Sequence, residues 1–131
     1  MYHAHYEEVK RRLRIAERKR MHLIKGWFKD TLISDEAKAV AKITYARIDC
    51  DLYEPAVECL NYLSSRLSDG AILVFDDWPH QITHGEGKAF AEWLPSVPNL
   101  AFEFIFYNTW GHLYLRVRHR DKEATHSTPT I

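Results

Sequence analysis

Between Lys42 and Trp78 the chain reads as strand, acidic turn, helix, turn and strand, and this unit restricts the fold more than any other stretch. Residues 43–48 (ITYARI) are apolar and β-branched enough for a buried strand, which runs into Asp49-Cys50-Asp51. Residues 54–67 carry Val57, Leu60, Leu63 and Leu67 at spacings of three and four, the period of an amphipathic helix. Ser68-Asp69-Gly70 follows as a break, with Gly70 suited to the left-handed position past a helix end. Residues 71–75 (AILVF) form a continuous apolar run of the kind found in parallel strands covered on both faces, and Asp76-Asp77 closes it.

A strand–helix–strand unit has one normal hand, so its two strands run parallel and their carboxyl ends share one rim. Open α/β sheets bind ligands at that rim, and here it receives Asp49, Asp51, Asp76 and Asp77. Asp49 and Asp51 are two residues apart and would point to the same side if strand geometry continued through them. Carboxylates this close repel one another and take up protons unless a positive charge sits among them. An oxygen-ligated divalent cation such as Mg²⁺ is the natural occupant. The plain alternative is a set of solvated acids capping turns and helix starts.

The remaining sequence narrows the class. A length of 131 residues fits one domain, read as residues 1–119 followed by a polar, aperiodic tail over 120–131 that is expected to be disordered. Lys plus Arg and Asp plus Glu both number 18, so net charge points to no polyanionic partner. Residues 4–20 have a helical pattern with Tyr6, Val9, Leu13 and Ala16 on one face and a basic opposite face. A nucleic-acid or membrane-surface role competes there with an ordinary solvated face. Without interleaved aromatics the solvated face is preferred, so neither nucleic acid nor membrane is expected as a partner. No apolar core of a signal peptide or membrane span is visible, and two cysteines fit a reducing cytoplasm. Cys50 sits between two aspartates, which raise a thiol pKa and argue against a thiolate nucleophile.

Met21–Lys25 is a short strand candidate, and Gly26-Trp27-Phe28 follows it as a glycine turn with two aromatics. Those rings suit either a flat ligand or the core. Ser34 or Asp35 caps a short helix. After Asp77 a polar loop carries His80 and His84, each open to a role as base, ligand or neither. Residues 86–94 are helical, with Phe90, Trp93 and Leu94 inward, and Pro95 and Pro98 end the segment. Residues 100–107 and 113–118 are strand-like and joined by turn chemistry at 108–112, so the sheet should finish in an antiparallel pair.

Three segments, KGWFKDTL (25–32), RIDCDLYEPAVECLNYLSSRLSDGAILVFDDW (47–78) and GEGKAFAEW (85–93), together resemble class I S-adenosylmethionine-dependent O-methyltransferases of the macrocin O-methyltransferase type. The resemblance covers most of residues 6–118. It implies a partial Rossmann-like α/β fold, with parallel strands, helices on both faces and a C-terminal antiparallel pair. It further implies a Mg²⁺ site at Asp49, Asp76 and Asp77, and Asp51 as general base toward a hydroxyl of a sugar-like small molecule. Gly26, Trp27, Phe28 and Asp30 would lie beside the adenine of S-adenosylmethionine. Cys50 departs from the glycine often found at its position.

The family's first two strands and its glycine-rich turn have no counterpart among the five glycines here. The resemblance therefore implies the C-terminal half of a methyltransferase, weak in donor binding and without turnover alone, needing an N-terminal half or a homo-oligomer. Residues 21–25 would lose a neighbour, and residues 43–48 would form an unprotected edge. Two other functions compete: a non-catalytic remnant, and an aspartyl-phosphate phosphatase with Asp49 as nucleophile. The phosphatase lacks a lysine between the two acidic motifs.

Overall fold

A computed structural model describes residues 5–78 and 83–120. Its centre is a four-stranded sheet in the order β1-β2-β4-β3. Strands β1 (Ile43–Ile48) and β2 (Leu67–Phe75) are parallel. Strand β4 (Leu113–His119) runs antiparallel to both β2 and β3 (Leu100–Tyr107). The expected α/β fold with a mixed sheet ending in an antiparallel pair is thus present, and β1 is an edge whose outer flank has no strand partner among the described residues.

Among the described residues three short α-helices precede β1: α1 (Tyr6–Arg12), α2 (Phe28–Thr31) and α3 (Asp35–Lys38). Ser34 caps α3 by accepting from the Ala37 amide at 3.2 Å. The basic N-terminal helix is shorter than its periodicity suggests, because Arg14 takes a left-handed φ of 53°. Its charge is partly answered internally, since Glu8 accepts from Arg11 at 2.7 Å and from Arg12 at 2.6 Å. Residues 21–25 are irregular rather than a strand. The segment is largely exposed, and no strand pairs with it among the described residues.

The crossover helix α4 (Tyr53–Leu63) buries Ala56, Leu60 and Leu63 against the sheet. It ends four residues earlier than the spacing through Leu67 suggests, because Leu67 already belongs to β2 and pairs with Ile43. Gly70 does have a left-handed φ of 80°, but inside β2 rather than past a helix end. There the register jumps from Ile43↔Leu67 to Tyr45↔Ile72, a bulge that only a residue tolerant of positive φ accommodates at low cost.

Helix α5 (Gly85–Trp93) packs beside α4 on the same face, and Trp93 Nε1 donates to Ser64 Oγ at 2.8 Å. Between these helices and the sheet lies the core of Leu60, Leu73, Phe75, Phe90, Leu115 and Val117. On the opposite face Tyr45 and Phe106 remain exposed, with Phe106 stacked on Tyr114 at a centroid distance of 4.2 Å. Among the described residues no helix is long and apolar enough to cross a membrane.

Candidate functional site

The parallel pairing of β1 and β2 brings the two acidic motifs together. The Asp76 amide donates to the Ile48 carbonyl at 2.9 Å, so both strands end at one level. Asp49, Asp76 and Asp77 each turn a carboxylate oxygen into one cluster, with all three atoms within 4.8 Å of one another. Mg²⁺–oxygen bonds are about 2.0–2.1 Å long, so ligands across an octahedron lie about 4 Å apart. The three acids therefore fit a hard divalent cation with small side-chain movements.

Asp51 does not continue the strand. Its φ of 59° is left-handed, which Asp tolerates better than most residues. Strand geometry therefore does not continue through Asp51, and its place at the rim comes from a turn rather than from strand alternation. Instead its carboxyl group meets that of Asp77, and the hydrogen bond between them pushes the Asp77 pKa up to about 7. Burial and the negative charges of Asp51, Glu86 and Asp76 act in the same direction. The start of α5 presses on this turn: a Cβ on Gly85, itself at φ 52°, would stand 3.2 Å from the Asp51 carbonyl oxygen.

A raised acid pKa means that the folded chain keeps a proton which the unfolded chain releases between pH 3.8 and about 7. Its contribution to stability therefore falls as pH rises through that window. In metal-free protein the Asp77 carboxyl should titrate near pH 7 by NMR. Asp51→Asn should move that midpoint downward; an unchanged midpoint would refute the pairing.

Two basic side chains also reach the rim. Arg47, on β1, donates to Asp76 and lies 3.8 Å from Asp49 Oδ2. His112 Nε2 lies 3.1 Å from Asp76 Oδ1. The turn between β3 and β4 delivers that histidine: Asn108 Oδ1 accepts from the Trp110 and His112 amides, both at 3.0 Å. The Trp78 amide donates to the Gly111 carbonyl at 2.9 Å and pins the turn over β2. Asp76 is thus shared between the acid cluster and Arg47.

Beneath the rim lies Glu86, fully buried on the first turn of α5. It accepts from the Cys50 amide at 3.2 Å and from the Asp77 amide at 3.3 Å. Burial raises its pKa. Burial, then the charge of Glu86, pushes the Cys50 thiol up to about 12, and burial pushes Cys59 up to about 11. A thiol raised this far does not favour a thiolate at Cys50, but the causes are burial and Glu86 rather than the flanking aspartates of the sequence argument.

Beside the rim is a cleft of about 550 Å³ lined by Trp27, Phe28, Cys50, Leu52 and Pro55, with Gly26 at its edge. Trp27 is 76% exposed, so this ring is not part of the core. Gly26 has φ 149°, and a Cβ there would approach Thr31 Cγ2 to 2.8 Å. Glycine thus permits the tight turn that presents the two aromatics. Asp30 lies on α2 and does not line the cleft. Cys50 belongs to both places, since its amide is held by Glu86 while its side lines the cleft. His84 precedes α5, with Nδ1 2.5 Å from Thr83 Oγ1, while His80 lies outside the described residues.

Arg47, Glu86 and His112 were not singled out by sequence reasoning. Arg47 reads as a strand-interior residue and His112 as turn filler. Glu86 reads as an acid complementing the dipole of a helix start, and its place within the quoted 85–93 segment was its one signal.

The macrocin-O-methyltransferase (TylF) family pattern matches residues 6–93. The 8-demethyl-8-(2,3-dimethoxy-alpha-L-rhamnosyl)-tetracenomycin-C 4'-O-methyltransferase of Streptomyces olivaceus is 36% identical over 58 residues, which is 44% of this chain and 21% of that protein. The structure of the O-methyltransferase NovP superposes with a TM-score of 0.69 and 28% identity, covering 88% of this chain and 45% of its own. CalS11, a TDP-rhamnose 3'-O-methyltransferase in calicheamicin biosynthesis, shares the fold with a TM-score of 0.50 and 22% identity, over 72% of this chain and 40% of its own. The chain spans less than half the length of each of these relatives.

Proposed function

The chain belongs to the macrocin-O-methyltransferase family, and from that membership we propose that it serves S-adenosylmethionine-dependent, Mg²⁺-assisted methylation of a hydroxyl on a sugar-like small molecule. Asp49, Asp76 and Asp77 would hold the metal. When bound, Mg²⁺ would act as a Lewis acid that orients the acceptor hydroxyls and acidifies one of them. Asp51 would take the proton from that hydroxyl as its oxygen accepts the methyl group. Its left-handed backbone turns it off the strand line and toward the rim, where such a base is needed. Trp27 and Phe28 would lie against the adenine ring in the cleft beside Cys50, with Gly26 permitting the turn.

One observation carries this reading: three convergent carboxylates adjoin an exposed aromatic cleft, and Cys50 is shared between the two. The methionine end of the donor needs a glycine-rich turn that these 131 residues do not contain, so a further segment or a partner chain would supply it. Family membership displaces the aspartyl-phosphate phosphatase alternative.

Isothermal titration of Mg²⁺ into the parent and an Asp49→Asn, Asp76→Asn double variant tests the rim. The parent should bind, and the variant should lose at least about 100-fold in affinity, since two of its three charged ligands are gone. Indistinguishable titrations would overturn the metal assignment.

A further inference from the structure

Glu86 is the one buried charged residue among the described residues, and the proposed chemistry gives it no task. A buried carboxylate is expensive unless its oxygens are fully partnered. Here one oxygen accepts from the Cys50 amide at 3.2 Å and lies 3.7 Å from Cys50 Sγ, while the other accepts from the Asp77 amide at 3.3 Å. These partners belong to the turns that follow two different strands. Cys50 sits between Asp49 and Asp51 after β1, and Asp77 is itself a rim acid after β2. Glu86 is not a member of the acid cluster.

We infer that Glu86 is a positioning residue, clamping the two acidic turns to each other and so fixing the spacing of Asp49, Asp76 and Asp77. The chemistry requires a carboxylate in particular. Both backbone partners are donors, and a carboxylate is the side chain that presents two acceptor oxygens with no proton between them. A glutamine of nearly the same shape would turn its NH₂ toward one of the two amides, leaving that donor unpaired whichever way it flips. Groups that orient metal ligands from behind are commonly worth 10–100-fold in metal affinity.

This inference rests on the metal reading of the rim, and two measurements separate them. The variants are Glu86→Gln and, as a control, Leu63→Ala, which weakens the core at the far end of α4 without touching the rim. In Mg²⁺ titration Glu86→Gln should bind 10–100-fold more weakly than the parent, while Leu63→Ala should stay within about threefold. In hydrogen exchange followed by NMR, Glu86→Gln should lose protection selectively at the Cys50 or Asp77 amide, beyond the general loss in Leu63→Ala. Unchanged exchange at both amides would overturn the clamp whatever the metal does. Mg²⁺ binding equal to the parent's would overturn its role in spacing the acids. A parent that binds no Mg²⁺ but shows selective loss of amide protection in Glu86→Gln would retain the clamp and remove only the metal reading.

Discussion

Asp51→Asn should lower methyl transfer by about 10²–10⁴-fold, the usual contribution of a positioned general base, in a preparation where the donor-binding turn is also present. The same change should leave Mg²⁺ affinity nearly intact, because Asp51 stands outside the three-acid cluster. Any small effect on the metal should favour binding. Asp51 is the leading cause of the Asp77 pKa of about 7, so its removal leaves Asp77 more fully ionised at neutral pH and readier to act as a ligand. A fall in rate accompanied by a comparable loss of Mg²⁺ affinity would instead make Asp51 a ligand. Single-turnover rates and metal titrations on the same variant distinguish these outcomes.

That separation of roles was only half legible in the sequence. Residues 43–48 and 71–75 announce themselves by composition, and the fixed hand of a strand–helix–strand unit brings their ends together without knowledge of side-chain packing. The terminal hairpin is legible for the same local reason. What sequence spacing could not supply was the backbone beyond each strand. Asp49 and Asp51 look equivalent by alternation, yet Asp49 is a member of the three-acid cluster while Asp51, on a left-handed turn, meets it from outside through Asp77. Gly70 looked like a helix terminator because positive φ is needed both there and in a bulge; pairing of Leu67 with Ile43 decided between them. Met21–Lys25 had strand composition but no partner. Four acids on one rim call for positive charge, and composition alone offers a metal. Part of that charge comes from Arg47, and His112 also reaches Asp76, both only through tertiary contact.

Phe75→Ala should remove about 3–5 kcal/mol of stability, the range for a large aromatic deleted from a packed interior. Phe75 is fully buried and sits 5.1 Å from the ring centroids of both Trp78 and Phe90, so its loss opens the middle of an aromatic cluster that joins β2 to α5. Small domains have about 5–15 kcal/mol in total, so the variant should melt far below the parent or fail to fold at 37 °C. Phe104→Ala provides the contrast: at 67% exposure on β3 it should change stability by no more than about 0.5 kcal/mol. The first substitution also bears on function, because Phe75 immediately precedes Asp76 and Asp77. A collapsed cavity there shifts the end of β2 against Glu86, so Mg²⁺ affinity should fall together with melting temperature. If chemical denaturation found Phe75→Ala as stable as Phe104→Ala, the aromatic cluster would not be what holds the second acidic turn in place.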